Sequence, residues 1–184
     1  MSNINPLGID NTTGQQRQDS PADTLLIPVE VSCPGNGVSC ERFGAGTLVA
    51  SSGNNNTAVG SLALRFNTTG AANTAVGSGA LNATLTGNGN TAIGVNTLQG
   101  VLVGNTGATA VGVGALQNTT GVGNTAIGTS SLNQNTSGTD NTAAGFNALS
   151  SSTGNGNSAV GSGAGFSPGV ISLIEIQLVL IILI

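Results

Sequence analysis

The chain has 184 residues, of which 5% are charged, 2% are aromatic and 30 are glycine. Globular domains average about 25% charged residues, and disordered segments combine low hydrophobicity with high charge, so the chain fits neither class. Its net charge of −4 argues against the basic surface that nucleic-acid binding requires. This composition predicts a narrow core of small side chains, held together by regular backbone pairing.

Residues 1–50 are predicted to form an N-terminal docking and capping segment. Its start has no cationic region and no apolar run, unlike a secretory signal peptide. Residues 24–31 are β-prone but contain Pro28, which predicts a short edge strand. Cys33 and Cys40 bracket a turn-rich loop, and the sequence leaves both a disulfide and two free thiols open.

Residues 51–166 form a repeat domain. A motif close to Asn-Thr-Ala-Val-Gly occurs seven times at a spacing of 16 to 18 residues. We call the glycine that ends each copy the closing glycine. A leucine lies four residues after each of the first six closing glycines. A further glycine lies five or six residues after each of these leucines, in a predicted turn. The three rows are Gly60, Gly77, Gly94, Gly112, Gly128, Gly145 and Gly161; Leu64, Leu81, Leu98, Leu116, Leu132 and Leu149; and Gly70, Gly87, Gly104, Gly121, Gly138 and Gly154. A fixed period of this kind is typical of repeat proteins.

Each repeat contains two β-like stretches joined by turns. A helical alternative is disfavoured because each glycine costs about 1 kcal/mol relative to alanine in a helix interior. The sequence therefore predicts an all-β fold, a parallel β-solenoid of about seven rungs, where a rung is one turn of chain. Insertions and deletions fall outside the Val-Gly-x-x-x-Leu unit, as expected if that unit is packed and the loops are not.

Alternation along a strand places Thr57 and Val59 on one face, and Asn56 and Ala58 on the other. We predict that the valine/isoleucine row stacks inward beside the leucines, and that the alanine row faces outward, where small side chains allow another subunit to approach. The predicted core row is Val59, Val76, Ile93, Val111, Ile127 and Val160, with Ala144 as an exception. The predicted interface row is Ala58, Ala75, Ala92, Ala110, Ala126, Ala143 and Ala159.

Two polar rows accompany the strands. For the asparagine row, the sequence leaves open side-chain amide ladders between rungs and turn formation at the strand start. For the threonine row, strand formation by β-branched residues is favoured over ice or sugar binding, because an ice-binding face needs two outward threonine columns. The rows are Asn56, Asn73, Asn90, Asn124, Asn141 and Asn157, and Thr57, Thr74, Thr91, Thr109, Thr125, Thr142 and Ser158.

Residues that carry chemistry are nearly absent from the sequence. The chain has no histidine, and only Arg65 and Asp140 are charged within the repeats, so acid–base and paired-carboxylate catalysis have no candidates. Two cysteines without histidine make a poor metal site. The sequence therefore predicts a non-enzymatic protein with no metal and no cofactor.

Residues 167–184 are predicted to form an apolar segment for oligomerisation or capping. Residues 170–184 are very apolar but interrupted by polar side chains, and they fall short of the roughly 20 residues that a membrane-spanning helix needs. No membrane span is expected. A truncated or read-through reading frame is the alternative explanation for this end.

The motif Asn-Thr-Ala-Val-Gly-x-x-Ala-Leu-x-x-Asn-Thr-Thr-Gly is best seen at residues 73–81 and 110–121. It resembles the head repeats of YadA-like trimeric adhesins, and is similar above all to the longer variant found in fibre proteins of bacteriophages and large viruses. The resemblance covers roughly residues 52–166. It implies a left-handed parallel β-roll that forms homotrimers and uses its surface for attachment. Residues 13–17 and 23–25 also resemble the N-terminal part of some of these viral proteins.

Secreted adhesins of this family carry a signal peptide and a C-terminal membrane-barrel anchor, and neither is expected here. The resemblance therefore favours a structural or fibre component at the surface of a virus particle. Its expected partners are other copies of the chain, virion proteins that bind the N-terminal segment, and a host surface glycan or protein. The alternatives are a bacterial surface adhesin and an ice-binding protein.

Overall fold

The computed structural model of the chain describes residues 40–49, 51–84, 86–100 and 104–165, all of which belong to one compact unit, Ser32–Ile184. The predicted edge strand at residues 24–31, Cys33, and the predicted oligomerisation segment at residues 167–184 lie outside the described residues.

The described chain is all-β, and its strands form one parallel sheet in chain order. The strands are β1 (Glu41–Phe43), β2 (Thr57–Val59), β3 (Thr74–Val76), β4 (Thr91–Ile93), β5 (Thr109–Val111), β6 (Thr125–Ile127), β7 (Thr142–Ala144) and β8 (Ser158–Val160). Equivalent residues pair between neighbours, as Thr57 pairs with Thr74 and Ala58 with Ala75. Each rung of 16 to 18 residues thus advances the chain by one strand, which confirms the predicted β-solenoid.

Hydrogen bonding between rungs continues from the three-residue strands into the turns. The Leu62 amide donates to the Ala45 carbonyl at 2.8 Å, and the Leu64 amide donates to the Ala80 carbonyl at 3.0 Å. Turn backbone is therefore satisfied by the neighbouring rung, as buried backbone must be. This pairing explains how a chain with few large side chains forms a stable stack.

The solenoid begins earlier than the predicted repeat domain. Strand β1 pairs in register with β2, and a Cβ on Gly44 would meet Gly60, its equivalent in the next rung. Leu48 is fully buried like the leucines that follow. The predicted boundary at residue 51 therefore lies inside the solenoid, and the Gly44-x-x-x-Leu48 spacing is the sequence signal that marks this first rung.

The leucine row lies in the core, as predicted. The members from Leu64 to Leu132 are 0% exposed, and Leu149 is 3% exposed. All six adopt positive φ values of 48° to 51°, a region that costs a side chain-bearing residue about 1–2 kcal/mol. Full burial of a leucine contributes about 1.5–3 kcal/mol, so core packing offsets the backbone strain.

The prediction for the other two apolar rows is wrong, because the faces are reversed. The predicted interface row, Ala58, Ala75, Ala92, Ala110, Ala126, Ala143 and Ala159, is buried inside the single chain, with at most 7% exposure. The predicted core row faces outward: Val59 is 38% exposed, Val76 37%, Ile93 42%, Ile127 49% and Val160 81%, while Val111 is half-buried. An alanine with no exposed surface cannot contact another subunit.

The width of the interior explains this reversal. From β2 to β8, a buried asparagine precedes every strand except β5, and it lies on the same face as the alanine. The leucines fill the opposite side of the core. With those side chains inside, the space under the strand holds a methyl group but not a β-branched side chain. The larger aliphatic residues therefore lie on the outer face.

The closing glycines are required by the close stacking of the rungs. Gly77 has a φ of 135°, and a Cβ built on it would lie 2.3 Å from the carbonyl oxygen of Gly94. The same conflict recurs at Gly94, where the Cβ would lie 2.6 Å from the Gly112 oxygen. The neighbouring rung therefore occupies the volume that any side chain would need.

The third predicted glycine row is wrong at one position. Asn105, not Gly104, aligns with Gly87, because the Asn90 amide binds the Asn105 carbonyl at 2.8 Å just as the Asn73 amide binds the Gly87 carbonyl at 2.7 Å. A Cβ on Gly104 would meet nothing within 4 Å. The extra residue of this rung therefore lies between Asn90 and Asn105.

Truncation of a core leucine tests this packing. We expect Leu98→Ala to lower the free energy of unfolding by about 2–5 kcal/mol, because it opens a cavity in a fully buried column. Val95→Ala is the control on the same rung, since Val95 is 44% exposed, and it should cost less than about 1 kcal/mol. Urea unfolding followed by circular dichroism measures both, and equal losses would contradict the proposed core.

Candidate interaction surface

The outer face of the sheet carries two regular columns of side chains. The first and third residues of each strand point away from the core, while the middle residue is buried from β2 to β8. The first column is the threonine row, half-buried from Thr57 to Thr125 and exposed at Thr142 and Ser158. The second is the valine/isoleucine row. We call these two columns the outer face.

The geometry of the outer face follows from strand pairing. Paired strands lie about 4.8 Å apart, and residues two apart in one strand are separated by about 6.6 Å. Because every pairing from β2 to β8 joins equivalent residues, the two columns repeat at the strand spacing along the stack. The outer face is therefore a regular array of hydroxyl and aliphatic groups.

The outer face is uncharged and has a large apolar component. From β2 to β8, no strand residue is ionisable. A further set of exposed apolar side chains follows the closing glycine: Val95 is 44% exposed, Val113 52% and Phe146 56%. Sequence reasoning missed these residues, although each occupies the same place in its repeat. With Ile93 and Ile127 of the strands, they give the solenoid two sets of exposed apolar side chains, and exposed apolar surface is a common feature of interaction sites.

The asparagine row forms an amide ladder inside the solenoid. The Asn73 backbone amide donates to Asn56 Oδ1 at 2.9 Å, and the Asn90 backbone and side-chain amides donate to Asn73 Oδ1 at 2.9 and 3.0 Å. The sequence left open an amide ladder or turn formation for these asparagines, and the structure shows the amide ladder. It connects consecutive rungs directly beneath the strands and so helps to hold the outer columns in register.

The ladder is interrupted at the rung that contains the insertion. Ala108 takes the place of an asparagine, and its backbone amide donates to Asn90 Oδ1 at 2.9 Å. Because alanine has no side-chain amide, it cannot accept the next hydrogen bond of the ladder. The amide of Asn105 is buried in the same rung, and neither its Nδ2 nor its Oδ1 has a hydrogen-bond partner within the described part of the chain. The ladder resumes from Asn124 to Asn157.

Cys40 is disulfide-bonded, and the only other cysteine of the chain is Cys33, which lies outside the described residues. The Cys40 Sγ lies 3.3 Å from the Gly53 carbonyl oxygen. A disulfide sulfur carries no proton, so this is a packing contact rather than a hydrogen bond. The sequence left open a disulfide or two free thiols, and in the structure Cys40 is in a disulfide. Cys40 directly precedes the first strand of the solenoid.

Ionisable side chains are sparse in the described ranges. They are Glu41, Arg42, Arg65 and Asp140, and the Arg65 guanidinium lies 5.0 Å from the centre of the Phe66 ring. Among the residues from 40 to 165 that the structure describes, no three potential metal ligands cluster. Over the same ranges, no helix has the length and apolarity needed to cross a membrane.

Comparisons with protein-family models, with curated proteins and with solved structures found no match.

Removal of one amide from the ladder tests its contribution. Asn73→Ala should lower the free energy of unfolding by about 2–5 kcal/mol, because the buried Asn90 amide and Gly87 carbonyl each lose a partner. Asn88→Ala is the matched control. Its Oδ1 accepts from the Ala71 amide at 2.8 Å in an exposed position, where water can replace it, so the loss should stay below about 1 kcal/mol. Urea unfolding compares the two, and a larger loss for Asn88→Ala would refute the ladder's role.

Proposed function

We propose that the chain is a non-enzymatic structural component of a fibre, a rigid homotrimeric rod at the surface of a virus particle. The observation that carries this proposal is the outer face, an uncharged surface with exposed valine or isoleucine in five of the seven strands from β2 to β8. Completing the burial of a side chain that is about 40% exposed stabilises an assembly by about 1 kcal/mol. Several such side chains in each chain favour association along the whole rod.

The number of subunits comes from the resemblance to YadA-like head repeats, which are trimeric. The reversed faces change which surface would form the trimer: the valine/isoleucine and threonine columns now occupy that place, while the alanines belong to the core. A trimer would hold three copies of each loop at fixed positions. Weak contacts with a host glycan or protein would then act together, and their combined affinity would exceed that of one site.

A bacterial adhesin head is the alternative with the same architecture. The two differ in where the rod is found. Immunogold electron microscopy with an antibody against residues 51–166 should label virus particles. Labelling of bacterial envelopes in place of particles would favour the adhesin.

Light scattering coupled to size-exclusion chromatography tests the assembly. The unaltered chain should elute with three times the mass of one chain, and Ile93→Glu should convert it to a monomer with unchanged β circular dichroism, because a carboxylate in an apolar interface is strongly disfavoured. Val122→Glu is the control, since Val122 is 42% exposed but lies outside the strands, and it should leave the mass unchanged. A monomeric unaltered chain would overturn the trimer.

The outer face also favours a second candidate, an ice-binding protein. The sequence offered one regular hydroxyl column, and the structure places it on the outer face with an aliphatic column beside it at the same spacing. An ice-binding face must stay free of other subunits. This candidate therefore predicts a monomer that shows thermal hysteresis, whereas the fibre predicts a trimer that shows none.

A further inference from the structure

A polar groove lies between two consecutive rungs, away from the strands. It has a volume of about 280 Å³ and is lined by Ser130, Asn133, Gln134, Asn147, Ser150 and Ser151. The first three follow β6, and the other three follow β7. All six belong to the turn segments on either side of the buried leucines, so the groove is separate from the outer face.

The groove exists because a column of surface amides stops at this point. The Gln117 Nε2 donates to Gln99 Oε1 at 3.0 Å, and the Asn133 Nδ2 donates to Gln117 Oε1 at 3.1 Å. The next position in the column, directly after Leu149, is Ser150. A serine is too short to continue the amide chain, so the space that a glutamine or asparagine would fill remains open.

The side-chain polar groups that line the groove mostly make no hydrogen bonds within the described chain, whereas the backbone groups pair between rungs. The Asn133 Nδ2 is bound to Gln117 and to the Gly114 carbonyl. No other side-chain polar atom of the six lining residues takes part in a hydrogen bond with the described residues. Ser150 is only 7% exposed, but its Oγ is not one of the enclosed side-chain atoms without a partner, so the hydroxyl is accessible from the groove. The free hydroxyls and amides supply both donors and acceptors.

The chemistry of the groove selects its ligand. None of the six residues is charged, so an anion or a cation would lose hydration without a compensating charge. A ligand that matches serine hydroxyls and carboxamides must offer uncharged donors and acceptors side by side, as the hydroxyls of a sugar ring do. The volume lies just below the usual range for small-molecule pockets, about 300–1,000 Å³, and this is enough for one small ring.

We infer that this groove is a binding subsite for one unit of a neutral saccharide. The inference rests on the proposed attachment function and specifies the class of its receptor. One subsite of this kind binds weakly, with a dissociation constant on the order of 1 mM. Three copies on a trimer would bind a glycan-covered surface much more tightly.

Saturation-transfer difference NMR on the full chain tests this inference with glucose, galactose, mannose and N-acetylglucosamine, and with anionic N-acetylneuraminic acid for comparison. We expect signals from at least one neutral sugar and none from the anionic one. Ser150→Gln should weaken binding at least about tenfold, because the glutamine continues the amide column and fills the groove. Gln134→Ala should weaken it severalfold, since it removes an exposed amide without filling the groove.

Ser78→Gln is the matched control, because Ser78 is an exposed serine in a distant rung, and it should leave binding unchanged. The inference is overturned if no neutral sugar binds, or if Ser150→Gln and Gln134→Ala both bind as the unaltered chain does. Molecular mass is measured on the same samples. Groove-dependent binding by a monomer would refute the trimeric rod while leaving the saccharide subsite intact, so the two proposals can fail separately.

Discussion

The stacking of glycine backbone on glycine backbone is the constraint on which the rest of the solenoid depends. At the end of each strand from β1 to β7, the carbonyl of the next rung occupies the volume that a Cβ would need, as Gly94 does for Gly77. A side chain there would force the rungs apart, and the hydrogen bonds on both sides would lengthen. Because each rung contacts only its neighbours, the spacing of every pair of rungs is set by the glycine contact between them.

Close rungs in turn fix what the interior can contain. Leucines on one side and an asparagine amide ladder on the other leave room for only a methyl group beneath each strand. The structure therefore buries alanine and places valine and isoleucine outside, which is the opposite of the usual preference for burying the larger aliphatic residue. The apolar surface that supports the proposed assembly is thus a consequence of the narrow core.

The solenoid separates surfaces with different chemistry. The outer face repeats the same hydroxyl and aliphatic groups at each rung, which suits a contact made along the length of a rod. The polar groove, by contrast, occurs where a single position departs from its column, at Ser150. Binding at the groove and association through the outer face can therefore coexist, because the groove residues lie outside the strands.

The sequence by itself determined the period, the parallel stacking and the buried leucine row, since recurrence at fixed spacing identifies residues that stack on one another. It could not decide which face of the strand lies inside, because alternation separates Thr57 and Val59 from Ala58 without assigning either side to the core. It also could not place the inserted residue before Asn105, or foresee a groove that exists only when two rungs lie side by side. Those features depend on the space between neighbouring rungs, and only the tertiary structure defines that space.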